Sequence, residues 1–147
     1  SELLIIGPIE SDFKNILNNY RNNKKIKFIE KQAQSDLCYY YNLSDIFVTC
    51  SVEEGLAMVQ VQAMACGLPV ICTPNSGGGE IVDHGTNGFI LPIRNIRILK
   101  EQIMELYNNS DQLNLLSNNA YNKAKQSLSW ENYGEKIIEF YKNSIKN

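Results

Sequence analysis

A carboxylate and a group of glycines lie close together in the middle of the chain, between Val52 and Val82. This segment reads VEEGLAMVQVQAMACGLPVICTPNSGGGEIV. Glycine lets a backbone approach a ligand closely, and successive N–H groups in such a turn bind anions. A carboxylate beside an anion site, here Glu54, is suited to hold hydroxyl groups or a developing positive charge. Together these residues predict a site for a sugar phosphate or a sugar nucleotide.

The elements that must position these residues are two helix starts, each following the end of a strand. A loop over Glu53–Leu56 leads into a helix from about Ala57 to Cys66. Gly67 stands where helices often need positive φ, and Pro69 prevents the helix from continuing. Helix N-termini at the carboxyl edge of an α/β sheet present N–H groups to anions, so a phosphate-bearing ligand is expected there.

The second helix start follows a buried strand. Val70–Cys72 is apolar without alternation, as in a parallel strand covered on both faces. It leads through Asn75, Ser76 and three glycines to Glu80, where a new short helix is predicted to begin.

Strands and helices alternate along the whole chain. Ser11 is predicted to cap the first helix, and helical apolar stripes fill the region from Ile96 to Tyr141. The alternation predicts an α/β fold with a doubly wound parallel sheet. The five predicted strands are Glu2–Ile6, Ile26–Ile29, Ile46–Thr49, Val70–Cys72 and Gly88–Leu91.

Composition limits the classes of function. With 147 residues and 44% hydrophobic content, the chain is expected to form one domain, residues 1–147. A net charge of -2 does not predict nucleic-acid binding. The first part is nevertheless basic, which fits a solvated surface or a patch for anionic lipid headgroups or a protein partner. Its basic residues are Lys14, Arg21, Lys24, Lys25, Lys27 and Lys31.

Cysteines, tyrosines and the single histidine are assigned structural roles. Cys38, Cys50, Cys66 and Cys72 have no metal-like spacing and are predicted to be small buried side chains in a reducing compartment. Among Tyr39, Tyr40 and Tyr41, one or two are expected to pack on the sheet rather than stack on a base. His84, in a loop, is expected to be solvated. The sequence contains no signal or membrane-spanning pattern, so a cytoplasmic location is expected, with any membrane contact peripheral at the inner face.

Three ordered motifs carry a resemblance to a known family. EEGLAMVQVQAMACGLPVI is followed by SGGGEIV and by GTNGFIL. The sequence resembles the donor-binding half of family 4 glycosyltransferases, which are retaining enzymes of the GT-B fold. The likeness extends from the LLIIG strand at Leu3 to the SWENY helix at Ser129. It implies the Rossmann-like C-terminal half of a GT-B enzyme.

The resemblance also implies roles for individual residues. In the family pattern two Glu residues are separated by seven others, and the first matches Glu54. The second, which holds ribose hydroxyls in the family, is Gln62 here. Ala57 and Ser76 stand where the family usually has glycine. The implied catalytic residue is Glu54, and the implied donor-binding residues are Gly55, Leu56, Ala57, Met58, Gln62, Ser76, Gly77 and Gly78.

The implied activity is transfer of a hexose from a UDP- or GDP-sugar to an acceptor in glycan, glycolipid or polysaccharide synthesis, without a metal or other cofactor. The resemblance further implies that an acceptor-binding N-terminal domain precedes residue 1, so the isolated chain is expected to be inactive. A non-catalytic module that binds sugar nucleotides or phosphate remains the alternative. A flavodoxin-like signalling domain is disfavoured because no strand end carries a phosphoacceptor Asp.

Overall fold

The computed structural model describes residues 1–145 and divides them into two units, residues 1–39 and the chain from residue 40 onward. The boundary falls within helix α2, Gln34–Asn42. Every strand pair in either unit is parallel, as the alternation of elements predicted.

The first unit is a βαβ arrangement. Strand β1, Leu3–Ile6, pairs with strand β2, Ile26–Ile29, and helix α1, Ser11–Asn18, connects them. Both strands lie where the sequence predicted them. Gly7 has φ 140° as the chain leaves β1, and its N–H donates to the carbonyl of Ile29 at 3.1 Å.

The predicted cap of α1 is wrong. Glu10, with extended backbone, occupies the N-cap position and makes no side-chain capping bond. Ser11 is the first helical residue instead, and its hydroxyl donates to the carboxylate of Asp12 at 3.1 Å. The serine side chain therefore contacts a neighbouring carboxylate rather than a free backbone N–H group of the helix.

The second unit contains a three-stranded sheet in the order β3-β4-β5. The strands are β3, Phe47–Thr49, β4, Val70–Cys72, and β5, Gly88–Ile90. Helix α3, Met58–Ala65, connects β3 to β4 and packs against both. Each strand therefore pairs with the next strand along the chain.

Three helices follow the sheet: α4, Ile96–Asn108, α5, Ser110–Ser127, and α6, Trp130–Ile145. The side chains of Asn95 and Asn109 cap α4 and α5 by accepting N–H bonds at 3.1 and 3.0 Å. The core between the sheet and these helices brings together Ile71, Phe89, Leu91, Leu106 and Leu116.

Helix α6 differs from the other two because none of its residues is buried. Its apolar stripe is largely exposed, and Trp130 is 73% exposed. Its aromatic side chains contact one another, with the rings of Trp130 and Tyr133 edge to face at 6.0 Å.

The prediction of buried cysteines is wrong for Cys38 and Cys50, which are exposed. Only Cys72 is fully buried, while Cys66 is half-buried. Cys38 lies on helix α2, and Cys50 follows the last residue of strand β3. Neither lies in the fully buried strand β4. An apolar neighbourhood in sequence did not distinguish a strand interior from its end.

The close contact between β4 and β5 gives a test of this sheet. A Cβ on Gly88 would lie 2.1 Å from the carbonyl oxygen of Val70, which is backbone and cannot rotate away. Gly88→Ala should therefore lower the free energy of unfolding by about 3 kcal/mol, measured by denaturant titration.

Gly134→Ala is the matched control, because a Cβ at this helical position meets nothing within 4 Å. It should raise the free energy of unfolding by roughly 0.5–1 kcal/mol. Equal effects of the two substitutions would contradict the β4–β5 contact.

Candidate functional site

The first turn of α3, which follows the loop that carries Glu54, has no capping side chain. The helix begins at Met58, one residue later than predicted, because Ala57 has extended ψ of 114° and occupies the N-cap position. Alanine has no polar group, so no side chain caps the first N–H groups. The helix ends at Ala65 rather than Cys66, and Gly67 has the predicted positive φ, 80°.

The glycine-rich turn after β4 consists of two short 3-10 turns. Pro74–Ser76 forms the first, Gly77 adopts φ 66°, and Gly78–Glu80 forms the second. The prediction that Glu80 begins a helix is therefore wrong, since it is the last residue of this turn. Its N–H donates to the carbonyl of the left-handed Gly77, three residues earlier, at 3.1 Å.

Two of the glycines are required by close packing. A Cβ on Gly77 would lie 2.5 Å from the Cα of Leu56, and one on Gly78 would lie 2.2 Å from the Sγ of Cys72. Gly55 and Gly79 have open space at the same position. The turn is thus pressed against the loop that precedes α3 and against the end of β4.

Glu54 lies on this loop with its side chain exposed. The residue is held by one side-chain and one main-chain hydrogen bond. Its Oε2 accepts a hydrogen bond from the hydroxyl of Ser51 at 2.7 Å, and its N–H donates to the carbonyl of Asn75 at 2.7 Å. The second bond joins the loop to the glycine-rich turn. Glu54, Leu56, Ser76 and Gly77 are therefore brought together by the contact of these two segments.

Buried polar side chains lie beneath the turn. Gln60 is 0% exposed, and its Nε2 donates to the carbonyl of Ser76 at 2.8 Å. Ser76, also 0% exposed, donates from its hydroxyl to the carbonyl of Thr73 at 2.8 Å. Sequence reasoning did not assign Gln60 a role. The signal was its helical spacing from Ala63 and Met64, which places all three on the buried face of α3.

Gln62 lies further along α3 and is half-buried beside Tyr41. The Tyr41 hydroxyl lies 3.4 Å from the Oε1 of Gln62 and 3.4 Å from the carbonyl oxygen of Val59. The Tyr41 ring packs edge to face on Phe47 of β3 at 6.0 Å, which confirms that one of the three tyrosines packs on the sheet. Met58, at the start of the helix, is 47% exposed.

Two thiols lie at the strand ends of the site. Burial raises the pKa of the Cys72 thiol, which lies under Gly78, whereas Cys50 follows β3 at an exposed position. Within residues 1–145, no group of three or more His, Cys, Asp or Glu side chains is arranged to hold a metal ion. His84 is exposed, as expected, but its Nδ1 also accepts the N–H of Ile90 at 3.1 Å.

Residues 1–123 match the family model of glycosyl transferases group 1. The chain belongs to this glycosyltransferase family, as the motif resemblance predicted. Its fold is that of the Rossmann-like half of GT-B glycosyltransferases.

Individual relatives are longer than this chain. An uncharacterized glycosyltransferase from Haemophilus influenzae is 34% identical over 92% of the chain, and spore coat protein SA from Bacillus subtilis is 30% identical over 86%. The matched region spans 37% of each of them. The crystal structure of HepE from Anabaena in complex with UDP-glucose has a TM-score of 0.83 at 23% identity, covering 97% of this chain and 41% of that one.

None of the helices within residues 1–145 is both long and apolar enough to cross a membrane.

The burial of Tyr41 predicts a pH effect on stability. Burial raises the pKa of its phenol above the ordinary value of 10.0. A group whose pKa is higher in the folded state contributes stability that is complete below the unfolded value and is lost as pH rises through the folded value. The free energy of unfolding should therefore fall above about pH 10, and less steeply in Tyr41→Phe.

Denaturant titrations at intervals from about pH 8 to 11 would measure this slope. Tyr107→Phe, at an exposed position of α4, is the control and should keep the wild-type slope. Identical slopes for wild type and Tyr41→Phe would mean that the Tyr41 phenol ionises as freely in the folded protein as in the unfolded one.

Proposed function

We propose that this chain is the donor-binding domain of a retaining glycosyltransferase, which moves a sugar from a nucleotide diphosphate sugar to an acceptor in glycan or glycolipid synthesis. The observation that carries the proposal is the position of Glu54. Its carboxylate is held by Ser51 on a loop that is bonded to the glycine-rich turn, beside the uncapped first turn of α3. A carboxylate next to anion-binding N–H groups fits a ligand with both hydroxyl groups and phosphates.

In this proposal the diphosphate of the donor lies over the start of α3, at Leu56, Ala57 and Met58. The helix dipole and free N–H groups would stabilise negative charge on the leaving diphosphate as the glycosidic bond breaks. The binding of UDP-glucose by HepE, which shares the fold, supports a nucleotide sugar as the ligand. We propose that these groups supply the charge stabilisation and that no metal ion or other cofactor takes part.

Glu54 has the catalytic role in this proposal. It would orient hydroxyl groups of the donor sugar and favour the positive charge that develops as the bond to the diphosphate breaks. Gly55, Ser76, Gly77 and Gly78 would form the backbone wall against the sugar and phosphates. Gly77 and Gly78 let the turn pack directly on Leu56 and Cys72, which fixes the position of this wall.

The whole enzyme would include an acceptor-binding domain that precedes this chain. The matched region spans 37% of the two relatives described, which leaves them room for such a domain. Because the active site of the proposed enzyme lies between two domains, we expect this chain alone to bind donors weakly and leave them unreacted.

We also propose a peripheral contact with the inner, cytoplasmic face of a membrane. Residues 14–31 contain six of the chain's 14 Lys and Arg residues and one of its 16 Asp and Glu residues. Within the first unit, a groove of about 760 Å³ is lined by the three cations Lys14, Arg21 and Lys31 and by one carboxylate, Glu30, together with apolar side chains such as Leu17 and Phe28. An excess of cations beside apolar side chains is complementary to anionic lipid headgroups.

A non-catalytic module that binds sugar nucleotides is the second candidate. It would keep the glycine-rich turn and would tolerate loss of the carboxylate of Glu54. A thermal-shift screen of UDP- and GDP-sugars against the full-length protein would identify the donor, and turnover of that donor would exclude the non-catalytic alternative.

The carboxylate of Glu54 gives the sharpest test of catalysis. In the full-length enzyme, Glu54→Gln should lower kcat by about a hundredfold with a smaller change in KM, because its charge matters most when positive charge develops on the sugar. Release of the nucleoside diphosphate at varied donor concentration measures both constants.

Glu53→Gln is the matched control, since Glu53 is the neighbouring exposed carboxylate of the same loop. It should leave kcat and KM near their wild-type values. If Glu54→Gln also left turnover unchanged, Glu54 would have no catalytic role. A loss confined to KM would mark Glu54 as a simple binding contact.

Gln62 tests the contact with the ribose. If its amide accepts a hydroxyl of the nucleotide, Gln62→Glu should tighten donor binding about fivefold, since hydrogen bonds to a charged acceptor are stronger. Calorimetry with the donor measures the dissociation constant. Gln126→Glu, at an exposed position of α5, controls for the added charge. Weaker or unchanged binding by Gln62→Glu would show that the site is adapted to the amide.

A further inference from the structure

A series of hydrogen bonds leads from the buried side chain of Gln60 to the carboxylate of Glu54. Gln60 Nε2 donates to the carbonyl of Ser76 at 2.8 Å, and the Ser76 hydroxyl donates to the carbonyl of Thr73 at 2.8 Å. The Thr73 hydroxyl donates to the carbonyl of Ser51, whose own hydroxyl donates to Oε2 of Glu54 at 2.7 Å. Five residues are thus joined in one polar series, from helix α3 to the loop before it.

A second, shorter route joins the same two residues. Gln60 holds the carbonyl of Ser76, and the adjacent carbonyl of Asn75 accepts the N–H of Glu54 at 2.7 Å. The side-chain route therefore ends at the Glu54 carboxylate, and the backbone route ends at its main chain. Both pass through the residues immediately before Gly77.

Most of this series is shielded from water. Gln60 and Ser76 are 0% exposed and Thr73 is 3% exposed. The buried polar side chains of the described residues are these three and Asn87. Hydrogen bonds in such surroundings are strong and restrict their members to one geometry. The series therefore has the rigidity needed to fix the position of an exposed carboxylate at its end.

Gln60 carries a cost in stability at its position. Its Oε1 is buried without a hydrogen-bond partner and would lie 3.0 Å from a Cβ on Gly78. An unpaired buried oxygen destabilises a fold, and an apolar side chain of similar shape would remove it but would leave the carbonyl of Ser76 without the Nε2 donor. An apolar residue could not replace the hydrogen bond that Gln60 Nε2 donates to the carbonyl of Ser76.

We propose that Gln60 is a positioning residue for Glu54, which it orients through Ser76, Thr73 and Ser51. This inference rests on the proposed catalytic role of Glu54. In this proposal Gln60 makes no contact with the sugar nucleotide. It fixes the position of the glycine-rich turn, and the turn fixes the position of the Glu54 carboxylate, which does contact the sugar nucleotide. Its loss should therefore reduce turnover more than it reduces donor binding or stability.

The first test is Gln60→Met in the full-length enzyme, because Met has a similar length and fits buried apolar surroundings. UDP-glucose, UDP-N-acetylglucosamine and GDP-mannose are the donor probes, and release of UDP or GDP is measured. We expect kcat to fall about tenfold, while KM changes less than about threefold. The Tm should stay near the wild-type value because the substitution removes the unpaired Oε1 together with the Nε2 hydrogen-bond donor.

Substitution of Thr73 breaks the same series of hydrogen bonds at a second, independent point. Thr73→Val removes the hydroxyl at nearly constant shape and should lower kcat to a similar degree, whereas Thr73→Ser keeps the hydroxyl and should restore turnover. If both residues act along one route, the double variant Gln60→Met/Thr73→Val should be little worse than either single variant. Gln126→Met, an exposed glutamine of α5, controls for the Gln-to-Met change.

A readout independent of activity is amide hydrogen exchange in the segment that contains Glu54. Exchange of the Glu54 N–H should accelerate in Gln60→Met, because the carbonyl of Asn75 that accepts it is no longer fixed by the neighbouring Ser76. Exchange in α5 should not change.

The outcomes separate the two proposals. If the wild-type enzyme releases no nucleotide from these donors, or if Glu54→Gln is silent, the proposed function fails. If Glu54→Gln loses turnover while Gln60→Met keeps the wild-type kcat, only the positioning role is overturned. A kcat loss that disappears when activity is normalised to folded protein, or fully additive effects of Gln60→Met and Thr73→Val, would overturn it as well.

Discussion

The contact between the glycine-rich turn and the loop before α3 is the constraint on which the candidate site depends. Gly77 is pressed so closely against the backbone of Leu56 that any side chain at position 77 would displace the loop. The same contact brings the carbonyl of Asn75 within 2.7 Å of the N–H of Glu54. Removing it would separate the loop that carries Glu54 from the glycine-rich turn, so the loop, the helix start and the turn act as one structural element.

The site was largely predictable because its residues are consecutive in two short segments. The order of Glu54, the helix and the glycines was enough to indicate a family, and the matched family model confirmed it. Parallel strands followed from the alternation of elements and from the unbroken apolar run of β4. Strand direction and motif order depend on residues that are close together in the sequence, and a sequence pattern describes such residues directly.

What sequence did not show depends on contacts between distant positions. Gln60 lies 16 residues from Ser76, and its donor bond to that carbonyl cannot be inferred from helical spacing. Glu80 was assigned to a helix start because three glycines precede it, but the left-handed Gly77 begins a short 3-10 turn in which Glu80 is the last residue. Cys50 was expected to be buried because it follows an apolar strand, but it lies beyond the last paired residue.

The order of the strands in the second unit also affects how this part of the chain acquires its structure. Because β3, β4 and β5 pair in chain order, each pairing joins segments that are near neighbours in sequence. Low sequence separation between contacting segments favours fast folding. The segments that form this sheet and the turn beside it, residues 47–90, precede α4 and α5 in the chain. The structure around Glu54 is therefore built from one short stretch of sequence, while Leu106 of α4 and Leu116 of α5 come from further along the chain to complete the core with Ile71 and Phe89.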